Sequence, residues 1–206
     1  MKSFAGCLMS ESGRFYMDEA GVVQRFEAAA HNPVTEEERG DARFWSPKTT
    51  ACAVDTLIVP CGVKGFCREF MRHVRVRKRF ELPDGLVSIG SLCAPDAPYA
   101  GCVFSHSELP SVCIPESVNV IGDYAFGHSL IGVLQLPLLR HCPYSRQFKD
   151  SRASVLRLPN VLRDFVRLVG DHLCIHRALP GAEARTGFGC LRSLCSNARI
   201  GGLEFY

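Results

Sequence analysis

Five side chains near the end of the chain have the chemistry of metal ligands. His172, Cys174 and His176 alternate, so a strand would set them on one face, with Cys190 and Cys195 downstream. Zinc takes four ligands in a tetrahedron, commonly from cysteine pairs about two to four residues apart. Cys190 and Cys195 are spaced more widely, and Cys174 also falls in an apolar column described below. Residues 172–195 as a small metal-supported domain are therefore the second alternative reading, and the first expectation is a packed core with no metal and no cofactor.

Nucleophilic chemistry finds less footing. His106-Ser107 and His128-Ser129 are adjacent pairs, and adjacency does not aim an imidazole at its neighbour's hydroxyl as a triad requires. The run GFGCLR at 187–192 opens like a dinucleotide fingerprint but lacks its third glycine. No GxxxxGK[ST], HExxH or GxSxG occurs, and the expectation is a protein without catalytic residues.

The densest charge is RHVRVRKR at 72–79, where six of eight residues are Arg, Lys or His. Such a run contacts phosphates in some proteins, which makes nucleic-acid association the first alternative. Without an aromatic platform or a reading helix, a solvated strand face with Val74 and Val76 turned inward is the preferred reading, and nucleic acid is not the expected partner. The whole chain, with 24 basic and 21 acidic residues and a net charge of +3, is too evenly balanced to name a polyanion.

At 47% hydrophobic and 22% charged, the 206 residues have enough apolar material for a core. No apolar run has the length of a secretory signal or a membrane span. The expected location is intracellular, or the cell surface if the chain is a fragment. The eleven cysteines are then read as reduced thiols, many buried, with a Cys93–Cys102 disulfide across a loop only in an oxidising compartment.

The elements that must position these residues come from a repeat. A branched apolar residue precedes proline at Val59-Pro60, Leu82-Pro83, Ile114-Pro115, Leu136-Pro137, Leu158-Pro159 and Leu179-Pro180, at intervals of 23, 32, 22, 22 and 21 residues. The long interval is a normal unit carrying an inserted loop at 91–102. Other columns align at fixed offsets. Three before the proline stand Leu57, Phe80, Val112, Leu134 and Leu156; six before it stand Val54, Leu109, Ile131, Ala153 and Cys174, with Arg77 as the misfit. An aromatic column holds Phe104, Phe126 and Phe148. Each unit is too small to bury its own apolar face, so units must stack, with a short strand ended by proline.

The run IPESVNVIGDYAF at 114–126, with the partial matches ELPDGLVSIG at 81–90 and TLIVPCGVKGF at 56–66, resembles the repeat of BspA-type leucine-rich proteins over roughly residues 51–180. The resemblance implies a solenoid, a right-handed curved array of short strands and turns, used for adhesion or protein binding. The expected fold is thus a leucine-rich-repeat-like solenoid over 51–206, with units starting near 54, 77, 109, 131, 153 and 174. A non-repeat helical cap over 1–50 precedes it, since MDEAGVVQRFEAAA can form an amphipathic helix around Val22, Val23 and Phe26, and Thr35 with Glu38 suits a capping box.

On such strands the residues two and four before each proline face solvent. Arg79, Glu81, Ser111, Gln135 and Arg157 are the expected partner-binding residues, and another protein is the expected partner.

Overall fold

The computed structural model describes residues 5–30, 53–68, 70–90, 101–138, 146–176 and 189–206. Among them run the strands β1 (Gly6–Ser10), β2 (Gly13–Met17), β3 (Val22–Ala28), β4 (Ala53–Ile58), β5 (Gly65–Phe66), β6 (Arg75–Glu81), β7 (Ser88–Ile89) and β8 (Glu108–Cys113). There follow β9 (Val120–Ile121), β10 (Leu130–Gln135), β11 (Arg152–Leu158), β12 (Val166–Val169) and β13 (His172–Ile175), then helix α1 (Gly189–Asn197), β14 (Arg199–Ile200) and β15 (Leu203–Phe205). None of the described helices is long and apolar enough to cross a membrane.

The expected solenoid with a helical cap is corrected by this topology. The molecule combines several sheets of different kinds: a four-stranded sheet ordered β1-β2-β3-β5, a seven-stranded sheet ordered β14-β11-β10-β8-β6-β4 with β15 also on β11, and two-stranded pairs β12-β13 and β7-β9. The first three strands and the β12–β13 hairpin are antiparallel, whereas the seven-stranded sheet is parallel.

The 22-residue spacing becomes register in the parallel sheet. Leu109, Ile131 and Ala153 lie opposite one another, as do Val112, Leu134 and Leu156. Parallel neighbours need a crossover of a dozen or more residues, and each unit supplies one. The crossovers carry the aromatic column: Phe104, Phe126 and Phe148 are wholly buried, with ring centroids 5.5 and 5.4 Å apart.

The N-terminal segment read as a helix is the β2–β3 hairpin. Asp18 fixes its turn by accepting from the amides of Ala20 and Val22, both at 3.0 Å, and Gly21 takes the left-handed φ of +76° that the turn needs. Val23 and Phe26 are both buried because the register shifts between Tyr16 and Met17, leaving Gln24 as the extra residue of a bulge. A bulge converts a strand's period of two into a spacing of three, which imitates a helix. The Thr35–Glu38 capping box lies outside the described residues, as do the inserted-loop residues 91–100.

Another bulge explains the misfit at Arg77. β6 pairs with β4 as Val54↔Val76 and then Thr56↔Arg79, so Arg77 and Lys78 together face Asp55. Val76 fills the core column instead, and Arg77 turns outward.

The unit placed near 174 is also corrected. Cys174 belongs to the antiparallel hairpin β12–β13, and the next strand on the parallel sheet comes later, with Ile200 opposite Ala153 and Leu203 opposite Leu156. Leu179-Pro180 lies outside the described residues.

Candidate functional site

The solvent side of the parallel sheet gathers the five expected binding residues. Thr56 lies beside Arg79 and Ile58 beside Glu81, while Ser111 and Val133 share a row with Val155, and Cys113, Gln135, Arg157 and Glu204 form another. Arg79, Glu81, Ser111 and Arg157 are exposed, and Gln135 is half-buried between its neighbours. The core residues lie six, three and one before the proline, so the two residues between the first pair also point outward.

Charge on this face is satisfied at its two ends. Arg79 Nε donates to Glu81 Oε1 at 2.6 Å, and its Nη1 reaches Glu11 Oε1 at 3.2 Å from the turn between β1 and β2. At the other end Arg157 Nε donates to Glu204 Oε2 at 2.7 Å. Between these lies a neutral stretch of Ser111, Cys113, Val133, Gln135 and Val155. The Cys113 thiol is pushed up by burial and by the Asp84 carboxylate, so it stays protonated at neutral pH.

Glu11 and Glu204 escaped the sequence reading for different reasons. Ile200, Leu203 and Phe205 repeat the offsets of Ile131, Leu134 and Leu136, a signal for Glu204 that a search anchored on proline passes over. Nothing local places Glu11, which arrives through the hairpin.

Four cations of the basic stretch are ion-paired within the fold. Arg75 Nε and Nη2 donate to Glu108 at 2.6 and 3.2 Å, and Arg77 and Lys78 clamp the two oxygens of Asp55 at 3.0 and 2.6 Å. Those cations hold the Asp55 carboxyl below its ordinary range. Val74 and Val76 are buried, as the strand reading expects.

His106-Ser107 and His128-Ser129 occupy one turn in successive units. His73, His106, His128 and Asp150 all adopt left-handed backbone, at φ of 59°, 57°, 57° and 55°, a region that His, Asn and Asp tolerate best among residues with a Cβ. The serines that follow are buried and spend their hydroxyls on carbonyls: Ser107 donates to Met71 O at 2.7 Å and Ser129 to Phe104 O at 2.6 Å. These buried hydroxyls hold turns.

The imidazoles stack face to face. Centroids of His73, His106 and His128 are 4.6 Å apart in both steps, and Asp150 stands 3.9 Å from His128 at the end of the row. Burial, reinforced by His128, His73 and Arg72, lowers the His106 pKa to about 4. An unfolded histidine titrates near 6.5, so the unfolded chain binds this proton first. The resulting stability is complete above that pH and is lost as the pH falls through about 4. Between about pH 7 and pH 5, His106→Asn should remove a dependence on the order of 1 kcal/mol, after allowing for solvent screening of a partly exposed ring. Thermal unfolding of both forms at each pH measures it; identical slopes would show the stack does not resist protonation.

At 172–195 the potential ligands diverge. His172 is exposed beside Asp171 and against Arg199, Cys190 is buried and disulfide-bonded, and Cys195 is pushed up to about 11 by burial and then by Cys174. No group of three His, Cys, Asp or Glu side chains among the described residues has metal-site geometry. The disulfide at Cys190 also departs from the expectation of reduced thiols. The Cys93–Cys102 disulfide, allowed only for an oxidising compartment, is not formed: Cys93 lies outside the described residues and Cys102 carries a thiol.

Comparison of the chain with protein-family models, with curated proteins and with solved structures finds no match in any of the three.

Proposed function

We infer that this is a non-catalytic protein-binding module whose solvent-facing parallel sheet is the binding surface. The observation that carries the reading is the distribution of charge on that face: ion pairs at both ends, and a neutral centre of Ser111, Cys113, Val133, Gln135 and Val155 between them. Protein interfaces are depleted of charge at their centre and polar at their rim. Rows repeating every strand, about 4.8 Å apart, make a broad and regular surface. Serines committed to backbone carbonyls and a Cys113 thiol held protonated support the non-catalytic half of the proposal. Nucleic-acid binding has less support, since Arg75 and Arg79 each hold a carboxylate and Arg77 and Lys78 share that of Asp55.

A pull-down with immobilised protein tests this. Gln135→Arg places an uncompensated charge at the neutral centre and should abolish capture of a protein partner by the wild type, with the melting temperature little changed. Capture that survives both Gln135→Arg and Arg157→Glu would refute the assignment of this face.

A further inference from the structure

A second feature of the same sheet lies toward the starting ends of its strands. Two surface cavities of about 670 and about 550 Å³ share Arg152 and Ser154 in their walls and so join into one trough across β6, β8, β10, β11 and β14. Five strands about 4.8 Å apart give a length of about 19 Å, the span of about six extended residues.

Its floor is kept low by small residues. Gly132 lies so close to Pro110 that a Cβ would stand 2.1 Å from the Pro110 carbonyl oxygen, and a Cβ on Gly201 would stand 2.7 Å from that of Ser154.

The charges along the trough are paired except at its middle. Arg75 is matched by Glu108 at one end and Arg199 by Asp171, at 2.9 Å, at the other. Arg152 sits between them, exposed, and among the described residues its guanidinium makes no hydrogen bond or ion pair. Its register neighbour is Leu130, a leucine left 49% exposed. The trough therefore offers a cationic fork beside an apolar patch, within walls whose other charges are already satisfied.

We propose that this trough binds an extended acidic segment of a partner protein, one carboxylate lying on Arg152 and a neighbouring apolar side chain on Leu130. The inference rests on the protein-binding reading above and adds the chemistry of the segment. A guanidinium donates two parallel hydrogen bonds to a carboxylate, and a shallow trough lowers the dielectric around the pair. A phosphate chain fits less well, because it would need several unmatched cations and would leave Leu130 without a contact.

The probe is a fluorescein-labelled hexapeptide of alternating glutamate and leucine, titrated with the full chain at low salt and read by fluorescence anisotropy. Saturable binding is expected, weakened about tenfold or more by Arg152→Glu, several-fold by Leu130→Asp, and little by Gln135→Arg. Both altered side chains are exposed, and thermal unfolding verifies that the variants fold. No binding, or binding indifferent to Arg152→Glu, would overturn the proposal. Binding lost only in Gln135→Arg would also overturn it while leaving the protein-binding face intact. A labelled oligothymidylate that binds more tightly than the peptide and depends on Arg152 would reassign the trough to nucleic acid.

Discussion

Phe126→Ala should cost about 3–5 kcal/mol of folding stability, enough to unfold a large fraction of a domain of ordinary stability. Phe126 is the middle ring of three, wholly buried, nearly parallel to Phe148 at 5° and to Phe104 at 20°. Removing it takes a contact from both neighbours at once and leaves a void where the crossovers of successive units meet. The stacked backbone resists collapse into that void, since Phe104, Phe126 and Phe148 accept or donate hydrogen bonds with adjacent turns, as in Phe104 N to Ala125 O at 2.8 Å and Phe126 N to Gln147 O at 2.9 Å. Phe126→Leu keeps most of the volume and should lose roughly 1–1.5 kcal/mol. Val161→Ala, at an exposed position, should change stability by less than about 0.5 kcal/mol. Urea unfolding at equilibrium measures all three, and an Ala variant within about 1 kcal/mol of wild type would mean the column does not pack as a unit.

Periodicity in the sequence made the parallel strands legible because one apolar offset, with core residues three and five positions after the first, recurs wherever a strand crosses the sheet. The solvent-facing rows followed from the same offset, and Arg79, Glu81, Ser111, Gln135 and Arg157 do share one side of the sheet. The uniform array did not follow, because a repeat in sequence says nothing of the segments that interrupt or precede it. Val23 and Phe26 carried a helical spacing that a β-bulge produces equally well, so spacing alone could not separate the two. At Arg77 the same ambiguity looked like a broken column, when one extra residue in β6 had moved the core position to Val76. Ion pairs between distant segments, Glu11 with Arg79 and Asp55 with Lys78, depend on register and on the hairpin's return, and neither is written locally. Arg152 reads in the sequence as one arginine among many; only the matched neighbours on either side make it distinctive.

Ile200→Asp should destabilise the protein by about 2–4 kcal/mol, whereas Cys174→Ser should change it by no more than about 1 kcal/mol. The comparison separates two placements of the last core column. The proline spacing puts Cys174 there; the structure puts Ile200 there, wholly buried opposite Ala153, and leaves Cys174 half-buried on the β12–β13 hairpin. An aspartate at 200 must either bury an unpaired carboxylate or expel β14 and β15 from the sheet. Expulsion is the cheaper route for an edge element, and it uncovers Leu156 and Leu158, which pair with Leu203 and Phe205. It also frees the Leu156 amide, now donating to Gly202 O at 2.8 Å, and the Asn160 amide, donating to Tyr206 O at 2.7 Å. Hydrogen exchange at those two amides should therefore accelerate in Ile200→Asp while Ile131 and Leu134 remain protected, because loss at an edge propagates only to the adjoining strand. If Cys174→Ser proved the more damaging change, with exchange at Leu156 unaltered in Ile200→Asp, the final strand would not be covering β11. The exposed row ending in Glu204 would then close at Arg157, and the ion pair that balances that end of the binding face would be absent.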